Sequence, residues 1–253
     1  MSGVSSVSSS SSYYSSIASG VSLQTAADGA AELSIAEGVE TQVNSYDVGT
    51  SNAKSVTAVL NIQDSALQSV SDYLQRIREL SIEASNGTWS ETDKAAIQEE
   101  INQLKQGIQD VADNTNYNGI SLLDGSNDSL NVATDGNGSN EQVSTYNSTL
   151  EALGIDDYDV TGDFDISTID KALDTVNSMR SEVGATSNSN DHIIAYNNMA
   201  SYNQSRVLSE LEDTDIEKTL SEMKKQSVLD TYKMMMQKKQ QDNDMQRTNM
   251  IFT

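Results

Sequence analysis

Two apolar stripes between Val59 and Leu123 constrain this chain more than any other stretch. Val59, Ile62, Ala66, Val70, Tyr73, Ile77 and Leu80 step by threes and fours, the period of one helical face, and Leu60, Leu67 and Leu74 widen it. The pattern stops at Asn86-Gly87-Thr88-Trp89. Ser90, with Asp93 three residues on, supplies the cap for a new helix. Its stripe is Ile97, Ile101, Leu104, Ile108, Val111 and Ala112. Two amphipathic helices joined by so short a loop fold back on each other as a helical hairpin.

What surrounds the hairpin limits the alternatives. Apolar residues make up 36% of 253, low for one thick core, so a thin, elongated helical body fits better. Proline is absent, which removes the commonest helix breaker. Cysteine is absent too, so neither a disulfide framework nor a Cys-based zinc site exists and the redox compartment is left open. Fifteen Lys and Arg against 38 Asp and Glu give a net charge of −23, which repels nucleic-acid phosphates and anionic lipid. No apolar run approaches the ~18 residues of a membrane span. Met1 to Ser12 lacks the positive charge and apolar block of a cleaved signal peptide, so export would need another route.

Residues 1–16 are dominated by serine and are expected to be disordered in the isolated chain. A helix is expected from about Ala26–Ala30, weakening around Asn44–Asn52 before the strong stripe, with one long helix favoured over two. Beyond the hairpin, Asn118-Gly119, Asp124-Gly125 and Asp135-Gly136-Asn137-Gly138 are turn signals, and Ser129–Thr134 alternates, which predicts a small β-hairpin cap. Ile166, Ile169, Leu173, Val176 and Val183 begin a third long helix; its stripe falters from Gly184 to His192 and recovers through Ile193–Leu211. A last helical segment holds Ile216, Leu220, Met223, Val228, Leu229, Tyr232 and Met234–Met236, and turns polar from Gln237. The fold class is all-α dominated: an elongated rod of long antiparallel helices with a small β-hairpin cap.

The strings Leu74-Gln75-Arg76-Ile77-Arg78-Glu79-Leu80, Ala84-Ser85-Asn86-Gly87-Thr88, Ala96-Ile97-Gln98-Glu99-Glu100-Ile101, Tyr117-Asn118-Gly119 and Leu122-Leu123-Asp124-Gly125 together resemble bacterial flagellin. Ile17-Ala18-Ser19-Gly20 and Ala26–Ala31 are similar to the family's amino-terminal pattern, with Gly29 replacing an aspartate. Ala172-Leu173-Asp174, Arg180, Gly184-Ala185, His192 and Leu211–Ile216 are similar to its carboxyl-terminal one. The resemblance covers most of residues 17–236.

It implies a secreted, non-enzymatic structural subunit of the extracellular flagellar filament, acting in motility, whose two chain ends come together while the middle of the sequence faces outward. Residues 124–165 are too short for the family's outer domains, so the chain resembles a near-minimal, mostly rod-forming variant. The domain expectation is a Ser-rich export segment and partial inner tube over 1–25, a helical rod over 26–211 with a β-rich connection at 124–165, and a carboxyl-terminal helix and polar tail over 212–253. The short, serine-rich start, the charged residues Lys238, Lys239, Asp242, Asp244 and Arg247, and the loss of an apolar residue at Asn190 depart from the family. They keep open a second reading: a non-polymerising or accessory flagellin-like protein at filament junctions, or a host-receptor ligand.

The resemblance further implies self or other flagellin subunits as partners, an export chaperone, the flagellar type III apparatus and Toll-like receptor 5. The receptor- and assembly-surface positions it carries over are Gln75, Arg76, Leu80 and Glu100, with Arg76 and Leu80 as anchors. No catalytic motif is present: His192 beside Asp191 is a base without a nucleophile. The Asp, Asn and Gly of 124–140 do not follow calcium-loop spacing, and turn chemistry explains them. Met234–Met236 reads as packing in a helical stripe. No cofactor, metal, nucleic acid or membrane insertion is expected.

Overall fold

The computed structural model describes residues 13–23, 25–136 and 138–251. After a helical stretch over 13–19 come helices α1 (Ala26–Ala84) and α2 (Glu91–Asn114). Strands β1 (Asn116–Tyr117) and β2 (Ile120–Ser121) form one small antiparallel hairpin, and β3 (Ser129–Ala133) and β4 (Asn140–Ser144) a second. The short helix α3 (Leu150–Leu153) and the long helices α4 (Ser167–Glu212) and α5 (Ile216–Ile251) complete the order. The helix-dominated fold is the expected one, with two β-hairpins where one was anticipated. The described chain divides into two compact units, one drawn from residues up to Gln42 together with Tyr202 onward, the other Val43–Ser201.

Three local expectations change. Residues 13–16, anticipated as disordered, begin a helix; those before them lie outside the described residues. The polar stretch Asn44–Asn52 does not weaken α1, whose one departure from helical geometry is at Gly29 (φ 167, ψ 93). The polar tail from Gln237 remains helical to Ile251, because Lys, Gln, Met and Arg are good helix formers and no glycine or proline interrupts them.

The larger unit is organised by heptads. The buried positions on α1 include a continuous stripe of Ala53, Val56, Leu60, Gln63, Leu67, Val70, Leu74, Ile77, Ser81 and Ala84, alternating steps of three and four, which Thr50, Val59, Ser71 and Leu80 widen. The centre of the stripe is therefore the Leu60–Leu67–Leu74 line; Ile62, expected in it, is 36% exposed. On α4, Ile169, Val176, Val183, Asn190 and Asn197 are buried at every seventh position. Cross-links between the two helices run in opposite order: Ser201 donates to Asp47, Asn190 to Ala53, Arg180 to Asp64 and Arg78 to Asp170. The helices are thus antiparallel. Ile101, Ile108 and Ala112 of α2 close the hairpin, and Leu122, Leu123, Val143, Leu153, Ile155, Tyr158 and Val160 bring the connection into the same core. Each such fully buried aliphatic side chain contributes about 1.5–3 kcal/mol.

Gln98, Lys105 and Gln109 of α2 hold the connection by its backbone. Gln98 Oε1 accepts from Val160 N at 2.8 Å, Gln109 Oε1 accepts from Leu150 N at 3.3 Å, and Lys105 Nζ donates to the Asp156 carbonyl. The β1–β2 turn uses Asn118 (φ 50) and Gly119 (φ 79), the pair of left-handed residues a tight hairpin needs. In the other unit, Ser22 N donates to Glu212 O at 2.6 Å and Thr214 N to Gly20 O at 2.8 Å. These bonds join the amino- and carboxyl-terminal segments directly.

Candidate assembly surface

With the leucine line of α1 turned inward, Gln75, Arg76 and Glu79 fall on the outer face of the helix and are exposed. The start of α2 is fixed by a complete capping box. Ser90 Oγ accepts from Asp93 N at 3.3 Å and Asp93 Oδ2 accepts from Ser90 N at 3.0 Å. That start sets the register in which Glu100 arrives opposite Arg76. Arg76 Nη2 and Nε both donate to Glu100 Oε1, at 2.8 and 3.0 Å, and Nη1 donates to Glu79 Oε2 at 3.2 Å. The bond to Glu100, then that to Glu79, raises the Arg76 guanidinium above its ordinary value. Gln75 Nε2 reaches Ser71 Oγ at 3.4 Å.

Leu80 is placed differently from the other three. It is only 2% exposed and belongs to the apolar core behind the surface, so its side chain does not present itself to a partner. The exposed apolar groups nearby in sequence are Ile82 (48%) and Trp89 (39%), which sequence reasoning did not assign to the surface. Ile82 could have been found from the heptad, since it falls between the inward positions Ser81 and Ala84.

The acidic connection is explained by turn chemistry. Asp124, Asp159 and Asp165 each accept from the backbone N–H and the hydroxyl of the residue two positions on, Ser126, Thr161 and Ser167. Those bonds, the hydroxyl's foremost, hold all three carboxyls below their ordinary value. Among the described residues no group of three or more His, Cys, Asp or Glu could hold a metal ion, and no helix is long and apolar enough to cross a membrane. His192 is exposed and lines a groove beside the β3–β4 turn. Met234, Met235 and Met236, expected to pack in a stripe, are 62%, 66% and 44% exposed. Among the described residues none covers them.

The comparisons with known proteins agree with this architecture. Residues 2–128 match the family described as the bacterial flagellin N-terminal helical region. A flagellin of Halalkalibacterium halodurans is 30% identical over 221 residues, spanning 84% of this chain and 81% of that one. Flagellin FlaB2 of Treponema pallidum is 27% identical over 235 residues, spanning 84% and 82%. The crystal structure of Bacillus cereus flagellin superposes with a TM-score of 0.52 at 27% identity, covering 58% of this chain and 88% of that one.

Proposed function

The chain belongs to the bacterial flagellin family and is a structural subunit of the flagellar filament, and we propose that it meets neighbouring subunits through two of its surfaces. One is the hairpin face of Gln75, Arg76 and Glu100, with Ile82 and Trp89 beside it. The other is the apolar row of α5. The observation that carries this reading is that row: Val228, Leu229, Tyr232 and Met234–Met236 are between 43% and 68% exposed on one helix. A run of large apolar groups left in water marks an interaction site, and in a subunit that polymerises other copies are the natural cover. Arg76 adds direction where the apolar row adds burial, because its guanidinium has donors to share with a neighbour's acceptors.

Export through the flagellar type III apparatus, escorted by a chaperone for the carboxyl-terminal helix, suits a filament subunit whose α5 is so exposed. The same face of Gln75, Arg76 and Glu100 serves as the contact for Toll-like receptor 5, with Leu80 supporting the helix from beneath. Sedimentation and negative-stain microscopy of the purified chain, with and without filament seeds, test the assembly reading. Seeded native chain is expected to form fibres, and Tyr232→Asp and Val228→Asp are expected to stay soluble with unchanged helix content. A native chain that remains monomeric on seeds overturns it.

A further inference from the structure

The turn that holds Asp124, Asp159 and Asp165 occurs twice more with an amide in place of the carboxylate. Asn86 Oδ1 accepts from Thr88 N at 3.2 Å and Thr88 Oγ1 at 3.0 Å, and Asn147 Oδ1 from Thr149 N at 3.1 Å and Thr149 Oγ1 at 2.7 Å. Each pair of bonds polarises the amide carbonyl and closes the side chain over the peptide of the residue between. The two turns differ in that residue. After Asn147 comes Ser148, which is buried and whose N donates to Leu123 O at 2.9 Å. After Asn86 comes Gly87, exposed in the loop between α1 and α2. Nothing lies within 4 Å of a Cβ added there, and among the described residues its N donates to no backbone acceptor.

The other two Asn-Gly pairs are placed differently. Gly138 N, which follows Asn137, donates to Asp135 O at 3.0 Å. Asn118 and Gly119 form the left-handed pair of the β1–β2 turn, between the paired residues Tyr117 and Ile120, a geometry that closing a ring there would undo. Asp124 also precedes a glycine in such a turn, but Ser126 holds its carboxyl below the ordinary value, and an ionised carboxylate is a poor electrophile. Asn86 alone among these combines an uncharged, polarised amide carbon with a glycine nitrogen left open to react.

We propose that Asn86 is a site of spontaneous modification, converted through a succinimide to aspartate and isoaspartate. A solvent base takes the proton of Gly87 N, and the nitrogen attacks Asn86 Cγ, an intramolecular step whose partners the turn keeps together. The oxyanion that forms at Oδ1 is met by the Thr88 N–H and O–H, which already donate to that atom. The Cγ–Nδ2 bond then breaks, and with a proton from solvent the nitrogen departs as ammonia. Water adds to one of the two imide carbonyl carbons and breaks its bond to the Gly87 nitrogen. The product is aspartate in a normal chain, or isoaspartate, whose chain runs through the β-carbon. No electron is transferred, and water is the one co-reactant. Either product adds a negative charge to the loop, and isoaspartate also adds one backbone carbon between the end of α1 and the Ser90 cap of α2.

The full chain is held in warm, mildly alkaline buffer, sampled with time and digested with trypsin, and mass spectrometry follows the peptide Glu79–Lys94. Asn86 is expected to convert severalfold faster than Asn118, Asn137 and Asn147, with isoaspartate among the products. In urea the three Asn-Gly pairs are expected to react at similar rates, because the fold is what distinguishes them. Thr88→Val, which keeps the shape and removes the hydroxyl, is expected to slow Asn86 severalfold in the folded chain, with helix content unchanged by circular dichroism. Gly87→Ala is expected to slow it both folded and in urea. Asn86 reacting no faster than Asn118 and Asn137 in the folded chain overturns the proposal, as does conversion of Thr88→Val at the native rate.

Discussion

Leu80 decides whether the hairpin surface has been read correctly, because its 2% exposure and the carried-over role of interface anchor cannot both describe its side chain. Leu80→Ala removes three carbons from a core position flanked on its own helix by buried Ile77, Ser81 and Ala84. At about 0.8 kcal/mol per carbon the transfer loss is about 2.4 kcal/mol. A residual cavity adds to it, although α1 ends four residues later and the site can partly close, so about 2–4 kcal/mol is expected, inside the usual range for such truncations. Leu80→Met conserves volume and should cost less than about 1.5 kcal/mol. Urea unfolding followed by circular dichroism measures both. The partner-contact assay, seeded assembly or receptor binding, should then follow stability, with Leu80→Met close to native. Arg76→Ala is expected to do the reverse, leaving the unfolding midpoint nearly unchanged while lowering contact. A Leu80→Ala loss below about 1 kcal/mol, with contact abolished in a fully folded protein, would refute the core placement.

Ser90→Ala opens the capping box and is expected to cost about 1 kcal/mol in the same unfolding assay. Asp93, Asp124, Asp159 and Asp165 are all held below their ordinary value of 3.8 by serine or threonine hydroxyls and backbone N–H groups. Depressed carboxyls contribute fully above that value and lose the contribution as pH falls through their lower folded values. Stability should therefore drop as pH falls below the ordinary carboxylate value of 3.8, and less steeply in Ser90→Ala; identical acid slopes would contradict the assignment. Gly38 sits in α1 with nothing within 4 Å of an added Cβ, so Gly38→Ala should stabilise by about 0.5–1 kcal/mol. Gly49→Ala has the same helix propensity gain but collides with the Thr134 carbonyl, and should destabilise by about 1–3 kcal/mol. Tyr158→Phe leaves Ser81 Oγ without the 2.9 Å bond from the phenol and should cost about 1 kcal/mol, read as a shift in thermal midpoint.

The hairpin was legible because its signals are local: two stripes, a turn and a cap. The exposed placement of Arg76 and Glu100 followed from the same helices. Leu80 was misassigned at the surface although it lies in the apolar stripe read from the sequence, because a likeness of residue types says nothing about which way a side chain points. Ile82 was passed over for the opposite reason, as an apolar residue whose exposure depends on the exact phase of the helix, and Trp89 because it lies in the loop between α1 and α2, where no periodicity points to its exposure.

That phase was obscured by polar residues at inward positions. A reading that follows only apolar residues skips Gln63 and Ser81 and centres the stripe too far toward Ile62 and Ala66. In the fold, Gln63 Nε2 donates to Ser144 O at 2.9 Å, and Ser81 Oγ donates to Ile77 O while accepting from Tyr158. Asn190, whose polarity suggested a weakened third helix, donates to Ala53 O and Thr57 Oγ1, both at 2.8 Å. Its Oδ1 is left without a partner, a real expense in stability. The return is register. An apolar seam with a uniform seven-residue repeat packs almost as well one heptad out of step, whereas a buried Asn at a core position tolerates a single alignment. Sliding α4 by seven residues would put one of the two asparagines in the other's place and leave the remaining position to Val183 or Gln204, so one of the two sets of bonds would lose its asparagine. The positions that made the sequence look weakest are therefore those that fix α4 against α1 and seat the β3–β4 turn where it stands.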